Sequence, residues 1–277
     1  MPYSSDTAAP ATRKPVTLPA LREMHARGEP IAMLTCYDAS FAALLDQCGV
    51  DVLLIGDSLG MVLQGASNTL EVTLEHVEYH TRCVARGNRT ALIMADLPWA
   101  TYQQSPQQAF ASCARLVAAG ASIVKVEGGA VFADTVRFLV ERGIPVCAHL
   151  GLTPQTTHVV GGYRVQGRDP RDAQRLLDDA ATLVAAGASL VLVEMIPREL
   201  GRRLAAHVGV PTIGIGAGPD LGGQVLVLHD MLDVFPGRKA RFVRNFMDGR
   251  ASVADAIRAY VAAVKSREFP AQGHWFD

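Results

Sequence analysis

The chain has 277 residues, of which 49% are hydrophobic and only 19% are charged. This proportion supplies enough apolar side chains for a large core and excludes an intrinsically disordered protein. The 26 basic and 27 acidic residues leave a formal net charge of −1, so the basic excess typical of nucleic-acid-binding proteins is missing and we expect no nucleic-acid partner.

Cysteine usage and hydropathy indicate the cellular compartment. The five cysteines are odd in number, lack Cys-x-x-Cys spacing and lie mostly in apolar runs, as reduced core cysteines do. No apolar run reaches membrane-spanning length, and residues 1–15 lack the hydrophobic stretch of a signal peptide. We therefore expect a cytoplasmic protein with no membrane partner.

Eight short apolar runs rich in β-branched residues recur along the chain. Because they are continuously apolar rather than alternating, they predict strands buried on both faces, as in a parallel sheet. In chain order the predicted strands are residues 31–35, 52–55, 91–95, 123–126, 145–148, 190–193, 211–215 and 224–228.

Helix start and stop signals lie between these runs. Ser105 is followed by Pro106 and Gln108, which predicts a capping box, and Gly120 is placed to end that helix. The other predicted N-caps are Thr17, Asp169 and Ser252.

Two segments of the chain nearly repeat each other. Residues 116–127 have the sequence LVAAGASIVKVE, and residues 183–194 have the sequence LVAAGASLVLVE. A duplicated strand–helix unit together with eight strands favours a (β/α)8 TIM barrel over a doubly wound open sheet, because every unit of a barrel has the same packing task. Residues 215–224 are too few to hold a helix. We predict a flexible N-terminal extension over residues 1–16 and a single barrel domain over residues 17–277.

Polar side chains stand where most of the predicted strands end. In α/β barrels the carboxyl ends of all strands meet at one mouth, where active sites form. Lys125 and Glu127 are two residues apart, so both side chains point to the same face of their strand, which we expect to be the inner one. The strand-end residues are Asp38, Asp57, Asp96, Lys125, Glu127, His149, Glu194 and His229.

Three of these carboxylates could meet only around a positive group. Oxygen donors without a histidine or cysteine pattern nearby are typical of Mg²⁺, which suggests Asp57, Asp96 and Glu127 as its ligands. The alternative is a salt-bridge network centred on Lys125 with no metal. Glu194 is a candidate general base across the mouth, or else it caps a loop. For His229, pairing with Asp230 is as plausible as a functional role.

Two glycine-rich segments allow two interpretations each. Residues 214–218 (GIGAG) resemble a phosphate-binding loop, but no helix follows closely enough to supply a dipole, so a tight turn is favoured. Residues 161–163 (GGY) could form a lid, and a plain surface loop fits them equally well.

At these same residues the chain resembles the ketopantoate hydroxymethyltransferase (3-methyl-2-oxobutanoate hydroxymethyltransferase) family. The shared motifs are collinear over about residues 17–274, which makes chance agreement negligible although each motif alone is weak. They are residues 35–38 (TCYD), 55–61 (IGDSLGM), 95–98 (ADLP), 124–129 (VKVEGG), 149–155 (HLGLTPQ), 161–163 (GGY), 165–167 (VQG), 214–218 (GIGAG) and 229–230 (HD).

The resemblance implies a barrel of the phosphoenolpyruvate mutase/isocitrate lyase type, assembled as a homo-oligomer, often a decamer. It implies transfer of a hydroxymethyl group from 5,10-methylenetetrahydrofolate to the keto acid 3-methyl-2-oxobutanoate, through a Mg²⁺-stabilised enolate, to form 2-dehydropantoate (ketopantoate) in pantothenate and coenzyme A biosynthesis. By position, the Mg²⁺ ligands would be Asp57, Asp96 and Glu127, the keto-acid contacts Asp57, Ser58, Asp96 and Lys125, the substrate-proximal histidine His149, and the proton acceptor Glu194.

One segment departs from the family pattern, and other functions stay open. Residues 231–241 lack the usual Phe-Gly after His-Asp and have Ala240-Arg241 where Pro-Lys is common, but this touches no proposed catalytic group. A carbon–carbon lyase or phosphonomutase on the same scaffold is the alternative enzyme, although its typical cysteine-bearing loop is missing here. A catalytically silent barrel is the alternative outside enzymes.

Overall fold

The eight predicted strands form a closed parallel barrel in the computed structural model, which describes residues 13–277. Each strand pairs with its neighbours in chain order, and the last strand pairs with the first. The strands are β1 (Ile31–Thr35), β2 (Val52–Ile55), β3 (Leu92–Asp96), β4 (Ile123–Glu127), β5 (Val146–Gly151), β6 (Leu190–Glu194), β7 (Thr212–Ile215) and β8 (Gly223–Leu226).

Eleven helices surround or cap this barrel within the described part of the chain. Residues Ala130–Phe132 and Pro154–Thr156 add two 3₁₀ turns at the carboxyl-terminal mouth. The helices are α1 (Leu18–Ala26), α2 (Ala39–Gln47), α3 (Leu59–Val62), α4 (Leu74–Gly87), α5 (Pro106–Ala119), α6 (Ala133–Val140), α7 (Thr157–Val160), α8 (Pro170–Ala185), α9 (Arg198–His207), α10 (Leu228–Met231) and α11 (Val253–Lys265).

The predicted helix caps form, with one correction. Thr17, Ser105, Asp169 and Ser252 each accept a backbone N–H in the first turn of the helix that follows. The full capping box at Ser105 is wrong, because the Gln108 side chain accepts from the Gln104 N–H and donates to the Ala100 carbonyl instead. Gly120, with φ +119°, ends α5 as predicted.

The end of the eighth strand differs from the prediction. Residues 224–228 were expected to continue as a strand, but β8 ends at Leu226 and α10 begins at Leu228. The Leu228 N–H donates to the Thr35 hydroxyl at 2.9 Å, which turns the chain away from the sheet. No helix lies between β7 and β8, as the short connection predicted.

Both faces of the strands are buried, as expected for a parallel sheet covered by helices. Nearly every strand residue is buried, and together with inward side chains of the helices they form a continuous apolar core. Tyr260 of α11 reaches into this core, and its hydroxyl lies 2.8 Å from the Met33 carbonyl. No helix of residues 13–277 is both long and apolar enough to cross a membrane.

The end of the predicted N-terminal extension is attached to the barrel. Arg13 forms an ion pair with the buried Asp51, and the Val16 N–H donates to the Thr90 carbonyl at 2.6 Å. Lys265 of α11 also contacts Asp51, at 2.8 Å. Residues 13–16 therefore belong with the barrel, and residues 1–12 of the predicted flexible extension lie outside the described residues.

Candidate active site

A cavity of about 610 Å³ opens at the carboxyl ends of the strands. This is the mouth at which the strand-end residues were expected to converge. Every site residue that the family resemblance implied lines this one cavity, namely Asp57, Ser58, Asp96, Lys125, Glu127, His149 and Glu194. A second cleft, more open to solvent and lined partly by α11, contains none of them.

Lys125 lies at the centre of the polar floor of the cavity. It points inward from β4, as the two-residue spacing from Glu127 predicted, and its side chain is 4% exposed. Its Nζ lies 3.3 Å from Asp96 Oδ2, 3.1 Å from Glu127 Oε1 and 3.1 Å from His149 Nδ1. The ammonium group thus has three partners around it, which is the arrangement of the salt-bridge alternative.

Asp57 and Asp96 adjoin this network from β2 and β3. Asp96 Oδ2 accepts the Asp57 backbone N–H at 2.9 Å, which fixes the Asp96 carboxylate beside the turn after β2. Its other oxygen, Oδ1, is buried and has no hydrogen-bond partner among residues 13–277. A buried carboxylate oxygen without a partner is costly, so a ligand that supplies positive charge would stabilise it.

Gln155 connects the carboxylates and was not predicted as a site residue. Its Nε2 donates to Asp57 Oδ2 at 2.9 Å, and its backbone N–H donates to Glu127 Oε2 at 3.0 Å. The Tyr102 hydroxyl in turn contacts Gln155 Oε1 at 2.8 Å. The sequence contained Gln155 in the shared motif at residues 149–155, but nothing local linked it to acids on other strands.

His149 connects the network to the candidate base. Its Nδ1 lies 3.2 Å from Glu127 Oε1, and its Nε2 lies 3.4 Å from Glu194 Oε2, an ion-pair contact that is not a well-formed hydrogen bond. The Glu194 side chain is 14% exposed, against 2% for Glu127. Glu194 is therefore open to the cavity, where a substrate could reach it.

The pKa values of Asp57 and Lys125 are both raised in this cluster, for different reasons. Burial raises the pKa of Asp57, and the neighbouring Glu127 and Asp96 charges raise it further. Burial alone would lower the pKa of Lys125, but the three carboxylates outweigh it and raise that pKa well above its usual range. Lys125 therefore stays charged, and the ionisation of Asp57 is costly.

The balance of charge in the cavity floor favours a bound cation, but the side chains are not arranged as a complete set of metal ligands. Three carboxylates face one ammonium group, and Asp96 has a free oxygen, so the donor set suits a hard divalent cation. Within residues 13–277, however, no three His, Cys, Asp or Glu side chains are grouped so that they could hold a metal ion. Both Glu127 oxygens already accept hydrogen bonds. Ligation by all three acids stays a prediction.

Ser58 is held beside the cluster by an aromatic neighbour. The Tyr37 hydroxyl lies 2.8 Å from Ser58 Oγ, and the His80 Nδ1 contacts the Tyr37 carbonyl at 2.7 Å. Burial raises the pKa of Tyr37, so its hydroxyl stays protonated and can donate to Ser58. Ser58 is thus available to a ligand with its orientation already set.

Two strand-end residues do not contribute to the cavity lining. Asp38 caps α2 by accepting the Phe41 N–H. The ring of His229 packs against Tyr37, with 5.7 Å between centroids, and its Nδ1 has no hydrogen-bond partner within the part of the chain that the structure describes. Asp38 is therefore a helix cap. The structure shows no ion pair between His229 and Asp230 within residues 13–277, and a functional role of His229 stays a prediction.

The two glycine-rich segments have different roles. A side chain at Gly216 would lie 2.7 Å from the Phe242 ring, and Gly216 has φ +63°, which fits a tight turn under a packed aromatic residue. The preferred interpretation of residues 214–218 therefore holds. Tyr163 lines the cavity and its hydroxyl contacts Met61 Sδ at 3.5 Å, so residues 161–163 cover part of the mouth.

Comparison with known proteins assigns this site to a family. The model of the ketopantoate hydroxymethyltransferase family matches residues 15–272. The chain belongs to the ketopantoate hydroxymethyltransferase family. The resemblance seen in the sequence is confirmed, and the protein is a transferase.

Curated relatives agree over nearly the whole length of the chain. A 3-methyl-2-oxobutanoate hydroxymethyltransferase of Azoarcus sp. (strain BH72) is 60% identical over 264 residues, which cover 95% of this chain and 97% of the relative. A protein of the same name from Cupriavidus pinatubonensis is 59% identical over 266 residues, covering 96% of this chain and 97% of the relative. These identities support ketopantoate formation.

Solved structures confirm the predicted barrel fold. A putative phosphonomutase from Burkholderia cenocepacia J2315 superposes with a TM-score of 0.63 at 17% identity, over 78% of this chain and 95% of that chain. A 2,3-dimethylmalate lyase, described as a member of the PEP mutase/isocitrate lyase superfamily, gives 0.56 at 16% identity, over 76% and 80%. A phosphonopyruvate hydrolase in complex with oxalate and Mg²⁺ gives 0.59 at 14%, over 76% and 80%.

Proposed function

We propose that this protein transfers a hydroxymethyl group from 5,10-methylenetetrahydrofolate to 3-methyl-2-oxobutanoate, yielding 2-dehydropantoate for pantothenate and coenzyme A synthesis. The observation that carries the proposal is the buried Lys125 network facing Glu194 across one cavity. The names of relatives at about 60% identity support the keto-acid substrate. The enzyme would act in the cytoplasm as a homo-oligomer. The family resemblance implies that this oligomer is a decamer.

The keto acid would lie with its carboxylate towards the polar floor. Lys125 keeps its positive charge, because three surrounding carboxylates raise its pKa, so it can attract the substrate carboxylate. Ser58 Oγ, held by the Tyr37 hydroxyl, would donate to the same carboxylate. These contacts orient the carbon next to the ketone towards Glu194.

A Mg²⁺ ion fits the acidic side of the floor. Asp57 and Asp96 are the residues that would hold it, because Asp96 Oδ1 has no hydrogen-bond partner among the described residues and because burial, together with the acidic neighbours, raises the pKa of Asp57. Glu127, with both oxygens engaged, is the third ligand that the family resemblance implies. When bound, Mg²⁺ supplies positive charge beside the keto oxygen, where negative charge develops during proton removal.

Glu194 would remove the proton from the carbon next to the ketone. It lies at the end of β6, its side chain is open to the cavity, and His149 Nε2 limits its movement from 3.4 Å away. The carbon freed of its proton then forms a bond to the methylene carbon of the folate. Both carbon–nitrogen bonds of that methylene break and water supplies the hydroxyl oxygen, so the hydroxymethyl product and tetrahydrofolate are released.

Proton exchange tests this assignment without requiring the folate. In D₂O with Mg²⁺, the wild-type protein should exchange the C3 proton of 3-methyl-2-oxobutanoate for deuterium, as followed by NMR. Glu194→Gln should slow this exchange about 10²–10⁴-fold, because a positioned base contributes that much. Glu199→Gln, an exposed residue of α9 paired with Arg202, is the matched control and should exchange normally.

Two results would contradict the proposal. Exchange by Glu194→Gln at the wild-type rate would remove Glu194 from the proton-transfer step. Release of pyruvate from 2-methylisocitrate or oxaloacetate without folate would point to a lyase on the same scaffold instead.

A further inference from the structure

The cavity has three zones between its floor and its opening. The acidic floor with Lys125 is buried, and the apolar side chains of Met61, Phe235 and Phe242, which are buried or half-buried, also line the cavity. Arg238, Lys239 and Arg241 line it as well, and because both arginines are exposed they mark its opening; we call these three residues the basic rim. All three come from the connection between α10 and α11, the segment that departs from the family pattern.

Two of the three rim cations have no acidic partner. Lys239 forms an ion pair with Asp233 and donates to the Phe235 carbonyl at 2.9 Å. Neither Arg238 nor Arg241 forms a salt bridge with any acid among residues 13–277, and both are exposed. Their guanidinium groups are therefore available to an anionic ligand at the opening.

Arg241 is also held in place. Its Nε donates to the Gly273 carbonyl at 3.0 Å, and its guanidinium lies over the Phe276 ring, 5.6 Å from the centroid. The Arg198 N–H anchors that carboxyl-terminal segment by donating to the Phe276 carbonyl at 2.8 Å. No other N–H group of Arg241 has a hydrogen-bond partner within the part of the chain that the structure describes, so it can bind a carboxylate with little loss of conformational entropy.

We propose that Arg238 and Arg241 bind the carboxylates of the glutamate tail of the folate, so that donors with several γ-linked glutamates bind more tightly. This inference rests on the proposed function. The reactive methylene must reach the floor, and the flat pterin suits the apolar walls, so the tail points to the opening. Each added glutamate contributes one more carboxylate to meet the rim.

The keto acid does not account for the rim. Its single carboxylate would be neutralised by the buried Lys125, whereas Arg238 and Arg241 of the rim are exposed. A ligand that uses both ends needs a polar reactive head, an apolar middle and an anionic tail. Among the two proposed substrates, only the folate has this distribution of charge.

The test compares methylenetetrahydrofolate bearing one glutamate with the same donor bearing three. We expect the wild-type KM to be about tenfold lower for the triglutamate, as two partly exposed charge pairs would produce. In the double variant Arg238→Gln/Arg241→Gln the ratio of the two KM values should fall to about one. In the wild type the ratio of the two KM values should also shrink as salt is raised from 50 to 500 mM, because the Debye length shortens about threefold over that range.

Arg244→Gln is the matched control in the same segment. Its guanidinium lies over the Phe246 ring at 4.8 Å and does not line the cavity, so this variant should keep the wild-type preference. Calorimetric binding of tetrahydrofolate with one and three glutamates gives the same comparison without turnover.

The outcomes separate this inference from the proposed function. A double variant that keeps the preference for the triglutamate overturns the inference, as does one whose KM rises for the keto acid alone. Absence of turnover and of binding with either folate overturns the proposed function itself.

Discussion

Gln155 joins two acidic side chains that different strands bring to the mouth of the barrel. Its amide nitrogen is shared between Asp57 Oδ2 and the Leu97 carbonyl, both at 2.9 Å, while its backbone N–H holds Glu127. An amide is the side chain that can donate to one acid and accept from Tyr102 at the same time. Gln155 therefore positions the acids and does not itself need to touch the substrate.

Gln155→Glu should lower kcat/KM about 10- to 100-fold, because a donor to a charged group becomes a third carboxylate beside Asp57 and Glu127. The concentration of Mg²⁺ that gives half-maximal activity should change as well, which a purely structural defect would not cause. Gln174→Glu, an exposed glutamine of α8 that also donates to an aspartate, Asp178, is the control. Unchanged kinetics in Gln155→Glu would contradict the positioning role.

The sequence predicted the acids of the site but not what orients them. Each strand-end residue follows an apolar run, so barrel geometry alone brings Asp57, Asp96 and Glu194 to one mouth. Gln155 lies 98 residues from Asp57 along the chain, and their contact arises only when a loop folds over the mouth. For the same reason the sequence could not decide whether Lys125 forms a salt-bridge network with the acids or the acids bind a metal ion. That choice depends on distances between side chains.

The repeated LVAAGAS segments form the same helix-to-strand turn at two places in the barrel. Gly120 after α5 and Gly187 after α8 have φ values of +119° and +109°, so each turns the chain from a helix into the next strand. A side chain at Gly120 would lie 2.6 Å from the Ala85 Cβ of α4. The repeat thus encodes a backbone turn together with close helix packing, and it correctly predicted both strands that follow.

Gly120→Ala should reduce the free energy of unfolding by about 1–3 kcal/mol, because it combines an unfavourable φ with a steric overlap. Urea denaturation followed by circular dichroism measures this change. Gly209→Ala is the control, since no atom lies within 4 Å of a side chain there, and its effect should stay within about 0.5 kcal/mol. Equal stability of the two variants would refute the argument.

The whole molecule carries an excess of negative charge at the mouth of its barrel. Asp57, Asp96 and Glu127 are all buried, and Lys125 is the one buried lysine or arginine within residues 13–277. Because the pKa of Asp57 is higher in the folded chain than in the unfolded chain, its ionised form destabilises the fold at neutral pH, and this penalty fades as the pH falls. The buried Asp57 carboxylate therefore lowers the stability of the fold at this end, and the proposed cation would offset that cost.

Asp57→Asn should therefore raise the melting temperature in metal-free buffer by about 2–6 °C while impairing activity. Added Mg²⁺ should raise the melting temperature of the wild type and have less effect on the variant, because a ligand stabilises the state that binds it. Differential scanning calorimetry measures both responses. Asp134→Asn, on an exposed side chain of α6, is the control. A variant that melts below the wild type without metal would contradict this account.

The pairing of β8 with β1, in which Gly223 lies beside Ile31, has a consequence for biosynthesis. The first strand leaves the ribosome early and must wait for nearly the whole barrel sequence before its second neighbour exists. Until then its edge is an open template for other strands. We therefore expect ring closure to be the late, slow event in folding, with nascent chains in need of shielding from one another.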